Sequence, residues 1–239
     1  MEMCQYLMRQ EGYVEGTTMV VVLGGGVYEV VGSCQVAGLF GTQQKTLSIP
    51  CDNLSFVGQG EGETIVDGGF AVENGRKVSF EGLTMKNTSG IGLFALDAGT
   101  EVVLQSVAVK ECQYSGVLVR NGAKFDATRC HFHQNGRHGV FVFGSTTTAR
   151  LTNCTSHHNK NHGVYADSGA VVDLMGEETS VHDNENHGMV ACTLPWQHHQ
   201  RPPTLRSQRH VPRKQRTKYR HGRRRPRSTK RQQEIKKQR

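Results

Sequence analysis

His133-Gln-Asn135-Gly-Arg-His138-Gly139-Val140, His157-His-Asn159-Lys-Asn-His162-Gly163-Val164 and His182-Asp-Asn184-Glu-Asn-His187-Gly188-Met189 are one phrase written three times. The shared pattern is His-x-Asn-x-x-His-Gly followed by Val or Met, and it returns after 24 and then 25 residues. A fixed period in this range marks a solenoid, in which each repeat buries its apolar face only by stacking on the next.

Working outward from the phrase, its glycine continues a column through Gly68, Gly92, Gly116, Gly139, Gly163 and Gly188. Alternating apolar pairs follow: Leu93/Ala95, Val117/Val119, Val140/Val142, Val164/Ala166 and Met189/Ala191. Another column runs Leu54/Phe56, Val78/Phe80, Val102/Leu104, Phe125/Ala127, Ala149/Leu151 and Val172/Leu174, in steps of 24, 24, 23, 24 and 23. Leu83/Met85, Val107/Val109 and Cys130/Phe132 form a third. Apolar alternation with period two is that of a strand with one buried face. Three short strands per repeat predict an all-β coil of about six to seven turns over residues 19–193, with a lead or cap over 1–18.

Composition agrees, since 27 of the 28 glycines precede residue 201, as a chain of tight turns requires. The net charge of +8 hides two opposite parts. Residues 1–200 carry a net of −8, and residues 201–239 hold 17 Lys/Arg against the single acid Glu234. Seven cysteines without close paired spacing do not read as a disulfide framework. Cys130 and Cys154, one repeat apart, are expected as stacked core thiols. No stretch reads as a signal peptide or approaches the ~18 apolar residues of a membrane span, so compartment and oligomeric state stay open.

The entry through Gly26-Val-Tyr28-Glu29, Phe56-Val-Gly58-Gln-Gly60 and Thr64-Ile65-Val66-Asp67-Gly68, with the later Asn-x-x-x-Gly turns, resembles the right-handed parallel β-helix family, the pectin-lyase-like fold. The resemblance covers about residues 20–193. It implies a single-stranded right-handed β-helix and leaves activity open, because lyases, hydrolases, esterases, epimerases, tail spikes and non-catalytic modules share the fold.

Within the phrase, Asn135, Asn159 and Asn184 are expected to form a structural ladder beginning at that coil, because the earlier turns carry Thr88 and Cys112 at the same count. The histidines have no such necessary task. His138, His162 and His187 form one column and His133, His157 and His182 another, and alternation predicts six imidazoles along the outer surface. Beside them, Phe94, Leu118, Phe141, Tyr165 and Val190 form an outward apolar stripe. Sugars stack on aromatic faces, so Phe141 and Tyr165 with the six histidines are the expected saccharide platform; cover by the tail or by a partner chain is the alternative. No carboxylate or thiolate stands consistently beside the histidines, so neither metal nor cofactor is expected.

Catalytic constellations implied by the resemblance are mostly missing. The paired aspartates of polygalacturonases and the Asp-Pro-His-Glu motif of alginate C5-epimerases do not occur. A lyase or epimerase needs a base and a cation at a uronic carboxylate, for which His162 or Tyr165 and Arg150 or Lys160 are the candidates. The leading expectation is a polysaccharide-binding or interaction module, with a lyase or C5-epimerase as the alternative. A third reading is a structural β-helix whose basic tail, residues 194–239, is disordered and binds nucleic acid through 201–239. Arg223-Arg-Arg-Pro-Arg227 adds a localisation-like cluster. A reading-frame shift would produce the same abrupt change in composition.

Overall fold

The computed structural model describes residues 18–36 and 42–192, together with the short strand Leu205–Ser207. The expected lead over 1–18 and tail over 194–239 lie outside them, apart from Thr18 and that strand. Among the described residues every regular element is a strand. Three parallel sheets run the length of the solenoid. The first begins at Met19–Val22 and takes a strand from every coil as far as Leu205–Ser207. The second runs from Gly26–Glu29 to Ser180–His182, and the third from Thr46–Ser48 to His187–Ala191.

Register follows the sequence columns with one correction: Leu93 pairs with Phe70, so Gly69 and not Gly68 stands in the glycine column, one residue on because the first coils are irregular. Val78 pairs with Val102, Val102 with Phe125, Phe125 with Ala149 and Ala149 with Val172. Adjacent coils therefore bring like residues about 4.8 Å apart, and inward side chains make one continuous core. Phe56 and Phe80 stack at 5.1 Å with planes 6° apart, and Phe70 closes on Phe80 at 4.7 Å.

The corners between sheets are made by single residues in the left-handed region. After the second sheet these are Glu111, Gln134, His158 and Asp183, with φ between 50° and 57°. One such residue reverses the chain direction sharply while the ladder continues on both sides.

Inside that corner the asparagines stack as expected. Asn135 Nδ2 donates to Asn159 Oδ1 and Asn159 Nδ2 to Asn184 Oδ1, both at 2.9 Å. Their other protons go to the Val109, Phe132 and Ser156 carbonyls. The starting point is corrected: the residue at this place two coils before Asn135 is Asn87, not Thr88. Its carbonyl accepts from the Gln113 amide, just as Cys112 accepts from Gly136 and Asn135 from Lys160. The Lys86–Asn87 corner lacks the left-handed residue of its successors, so it is one residue shorter and the count slips. Cys112 interrupts the amide column, and its own N–H donates to Asn135 Oδ1.

Cys130 and Cys154 are buried and adjacent, the Cys130 amide donating to Cys154 Sγ at 3.4 Å. Cys51, however, is disulfide-bonded, one bond where no framework was expected.

One excursion breaks the repeat. Ser33–Gln35 and Thr42–Gln44 pair as an antiparallel hairpin between the second and third strands of the first coil. Lys45 fixes its base with ion pairs of 3.1 Å to Glu29 and 3.0 Å to Asp67.

Candidate functional site

The outer face of the third sheet carries the predicted stripe in register: Phe94, Leu118, Phe141, Tyr165 and Val190 pair in succession. Its exposure differs from the expectation. Phe94 is 0% and Leu118 5% exposed, because Val36 and Cys34 of the hairpin region pack on them with Ala71 and Leu96. The cover thus comes from within the chain's own first coil. The stripe emerges only from Phe141 onward.

At that edge lies a groove of about 630 Å³. Gln43 and Gln44 of the hairpin line one side, Leu118 and Phe141 contribute to the sheet side, and Tyr114, Arg137, Arg120 and Phe143 are among the other lining residues. The Arg120 guanidinium sits 5.7 Å over the Phe143 ring and donates from Nε to Asn121 Oδ1 at 3.2 Å. Arg137 is exposed on the corner, where its amide donates to the Tyr114 carbonyl.

Next to the groove the inner histidine column meets the aromatics. His138 stacks on Tyr165 at 4.8 Å and 12°, leans on Phe141 at 5.3 Å, and stacks with His162 at 5.2 Å. It lies on the outer face against Phe141 and Tyr165 but is only 3% exposed, so the expected exposure is corrected for this ring. The reason is local: the ring folds down from the corner onto the sheet instead of following the strand's pleat. Exposure then rises along the column through half-buried His162 to exposed His187.

Burial first, then the charges of His162 and Arg137, push the His138 imidazole down to about 4. Burial and His187 lower His162 as well. The Nδ1 atoms of both rings are buried without a hydrogen-bond partner among the described residues. The Tyr165 phenol is pushed up, by burial foremost and then by Cys192 and Asp167.

The outer column stands apart, at the end of the second sheet. His133, His157 and His182 stack at 5.0 and 5.2 Å with planes 5° and 7° apart. The six histidines therefore form two separate rows flanking the asparagine corner. Arg150 is on a third surface, the outer face of the first sheet, 3.9 Å from Asp126 and in register with Asp173. It does not meet His162 or Tyr165. Arg120, Arg137, Tyr114 and Phe143 were not singled out from sequence, because none recurs from coil to coil.

With this geometry in view, residues 68–194 match the family described as the right handed beta helix region, and the chain belongs to it. Curated proteins provide no match. Among solved structures, ORF18 of Geobacillus virus E2 is similar at 13% identity and a TM-score of 0.47, over 69% of this chain and 43% of that one. The A-module of the mannuronan C-5 epimerase AlgE4 from Azotobacter vinelandii is similar at 17% identity and a TM-score of 0.46, over 72% of this chain and 65% of the module. The corresponding AlgE6 module gives 13% and 0.38, over 72% and 64%. The chain thus spans less than two thirds of each, and the likeness is one of fold. No helix among the described residues is long and apolar enough to cross a membrane.

Proposed function

We propose that this β-helix is a carbohydrate-binding module and that its ligand lies in the groove on the outer face of the third sheet. The observation that carries the reading is one concave surface, about 630 Å³, lined by three aromatic rings and two guanidinium groups. Its size falls in the range of small-ligand sites. Phe141, Phe143 and Tyr114 offer flat faces for the C–H faces of sugar rings. Arg137 offers paired N–H donors to hydroxyl or carboxylate oxygens, and with Arg120 it places cations locally on a body whose residues 1–200 are acidic overall. Tyr165 and His162 extend the platform along the axis and His187 continues it, while buried His138 supports the Tyr165 ring from within. His133, His157 and His182 are left out of the groove on this reading.

The lyase or epimerase reading has less support. Arg150 pairs with Asp126 on another face, and a raised phenol makes Tyr165 a poorer proton donor. The test is an array of neutral and uronate-containing oligosaccharides probed with the full chain. Phe143→Ala and Arg137→Ala are expected to weaken binding at least about tenfold, roughly 1.4 kcal/mol, while Arg150→Ala leaves it intact. Equal loss in Arg150→Ala, or none in the groove variants, would refute the site. An unsaturated, ultraviolet-absorbing product would refute a purely binding role. The basic tail is a separate proposal: removing residues 201–239 should abolish nucleic-acid binding, and unchanged affinity defeats it.

A further inference from the structure

We propose that His157 and His158 form a two-nitrogen chelate for a divalent transition-metal ion at the outer edge of the second sheet. The two Nδ1 atoms converge to 2.6 Å, with ring planes 84° apart. Between neutral imidazoles this contact holds one proton facing one lone pair. Both rings are placed by the fold. His157 is clamped between His133 and His182, nearly parallel to each. His158 is the left-handed corner residue, φ 53°, and its exposed ring is thereby turned back toward its neighbour.

Bound at the usual ~2.0–2.1 Å, an ion holds two cis nitrogens about 3 Å apart, so the exposed His158 ring needs to withdraw only by several tenths of an ångström. The ring that carries its proton on Nδ1 shifts to the Nε2–H tautomer, and no net proton is released. Imidazole donors select Cu(II), Ni(II) or Zn(II) over the oxygen-seeking calcium and magnesium. One coil on, Asp183 accepts from His182 Nδ1 at 2.8 Å. Asp183 is the corner residue stacked directly on His158, whose amide donates to the Asp183 carbonyl at 2.9 Å, so an acidic residue adjoins the pair. Among the described residues no three His, Cys, Asp or Glu side chains converge on one point. The chelate is therefore bidentate, and leaves the ion's other positions to water or to a donor from outside the chain.

The corresponding pairs on the flanking coils explain why the pair occurs once among these three coils of the described residues. His133 Nδ1 faces Gln134 Oε1 at 3.0 Å and His182 faces a carboxylate, so only the middle coil brings two imidazole nitrogens together.

The test titrates the full chain with Cu(II), and separately with Zn(II), following calorimetry and the copper absorption band. The expected result is a site whose affinity falls at least about tenfold in His158→Gln and in His157→Asn, with copper broadening of nuclear resonances centred on residues 157, 158 and 183. His158→Gln restores the residue type found one coil earlier, and an unchanged metal-free unfolding midpoint separates loss of a ligand from loss of fold. Unchanged affinity in both variants would place the ion elsewhere, for instance on His198 and His199, and overturn the proposal. Absence of binding at millimolar metal would overturn it as well.

Discussion

Acidification should weaken the C-terminal half of the solenoid through His138, and the size of the effect follows from that ring's surroundings. In the unfolded chain the imidazole titrates near 6.5, whereas in the fold it is held down to about 4. The folded state therefore resists a proton that the unfolded state accepts. The stabilisation linked to the neutral ring is complete above pH 6.5, and is lost as pH falls from there through the folded value. Two and a half pH units at 1.36 kcal/mol each come to about 3 kcal/mol. A large effect is reasonable at 3% exposure, because the nearest charges, Arg137 and a protonated His162, are of the same sign. The perturbation is His138→Phe, which keeps a flat ring against Tyr165 and cannot take up the proton. Urea unfolding of wild type and variant, followed by circular dichroism from pH 7.5 to pH 4, gives two curves of stability against pH. The wild-type curve should fall more steeply by about 3 kcal/mol over that interval. Parallel curves would refute the reasoning, since every other titrating group is common to both proteins.

Asn159→Ala removes the acceptor of the Asn135 amide and side-chain protons and the donor to the Phe132 carbonyl, all buried. It should lower stability by about 3 kcal/mol, against under about 0.5 kcal/mol for Asn186→Ala, whose partner Asn161 lies at the surface. Thermal unfolding of both variants checks the difference. The Cys112 and Cys130 thiols should be silent in the native protein. Burial pushes Cys112 up to about 12, and Cys130 is raised by Cys154 first and burial second. Iodoacetamide at pH 8 should therefore label both only after denaturation, as read by peptide mass spectrometry.

Much of the fold was legible because it is periodic. The pairs Val102/Leu104 and Phe125/Ala127, and the glycines Gly92, Gly116, Gly139, Gly163 and Gly188, recur at the spacing that stacking demands, so any reader who counts finds the sheets and their inward faces. Gly116 shows why the column is strict: a Cβ there would stand 2.8 Å from the Gly139 carbonyl and 2.9 Å from Asn135 Nδ2. The hairpin at Ser33–Gln44 was not legible, since it occurs once and has no partner to align with. That single excursion decides where the outer face of the third sheet is dry and where it is open. The Asn87 position was missed for a related reason: a corner one residue shorter shifts the count without shifting the place in space. Burial of His138 was hidden because a residue at a corner does not obey the pleat that gave its neighbours their direction.

The same contrast separates support from chemistry in this chain. Columns that keep their identity, such as the asparagines and the core valines, serve the stack, because only like residues at ~4.8 Å spacing satisfy each other indefinitely. Columns that change identity hold the unusual surfaces. On the third sheet one outward position runs Leu96, Arg120, Phe143, Asp167, and the groove lies where it passes from apolar through cationic to aromatic. At the second corner the left-handed position runs Glu111, Gln134, His158, Asp183, and the paired nitrogens occur at its one imidazole. A solenoid thus gains a site by departing from its own repeat where the backbone does not depend on the side chain. Substitutions that restore the neighbouring coil's residue, such as Phe143→Arg or His158→Gln, should therefore leave folding unchanged while removing the local property. If either collapsed the coil, the irregular residue would be part of the support, and the separation drawn between the two kinds of column would fail.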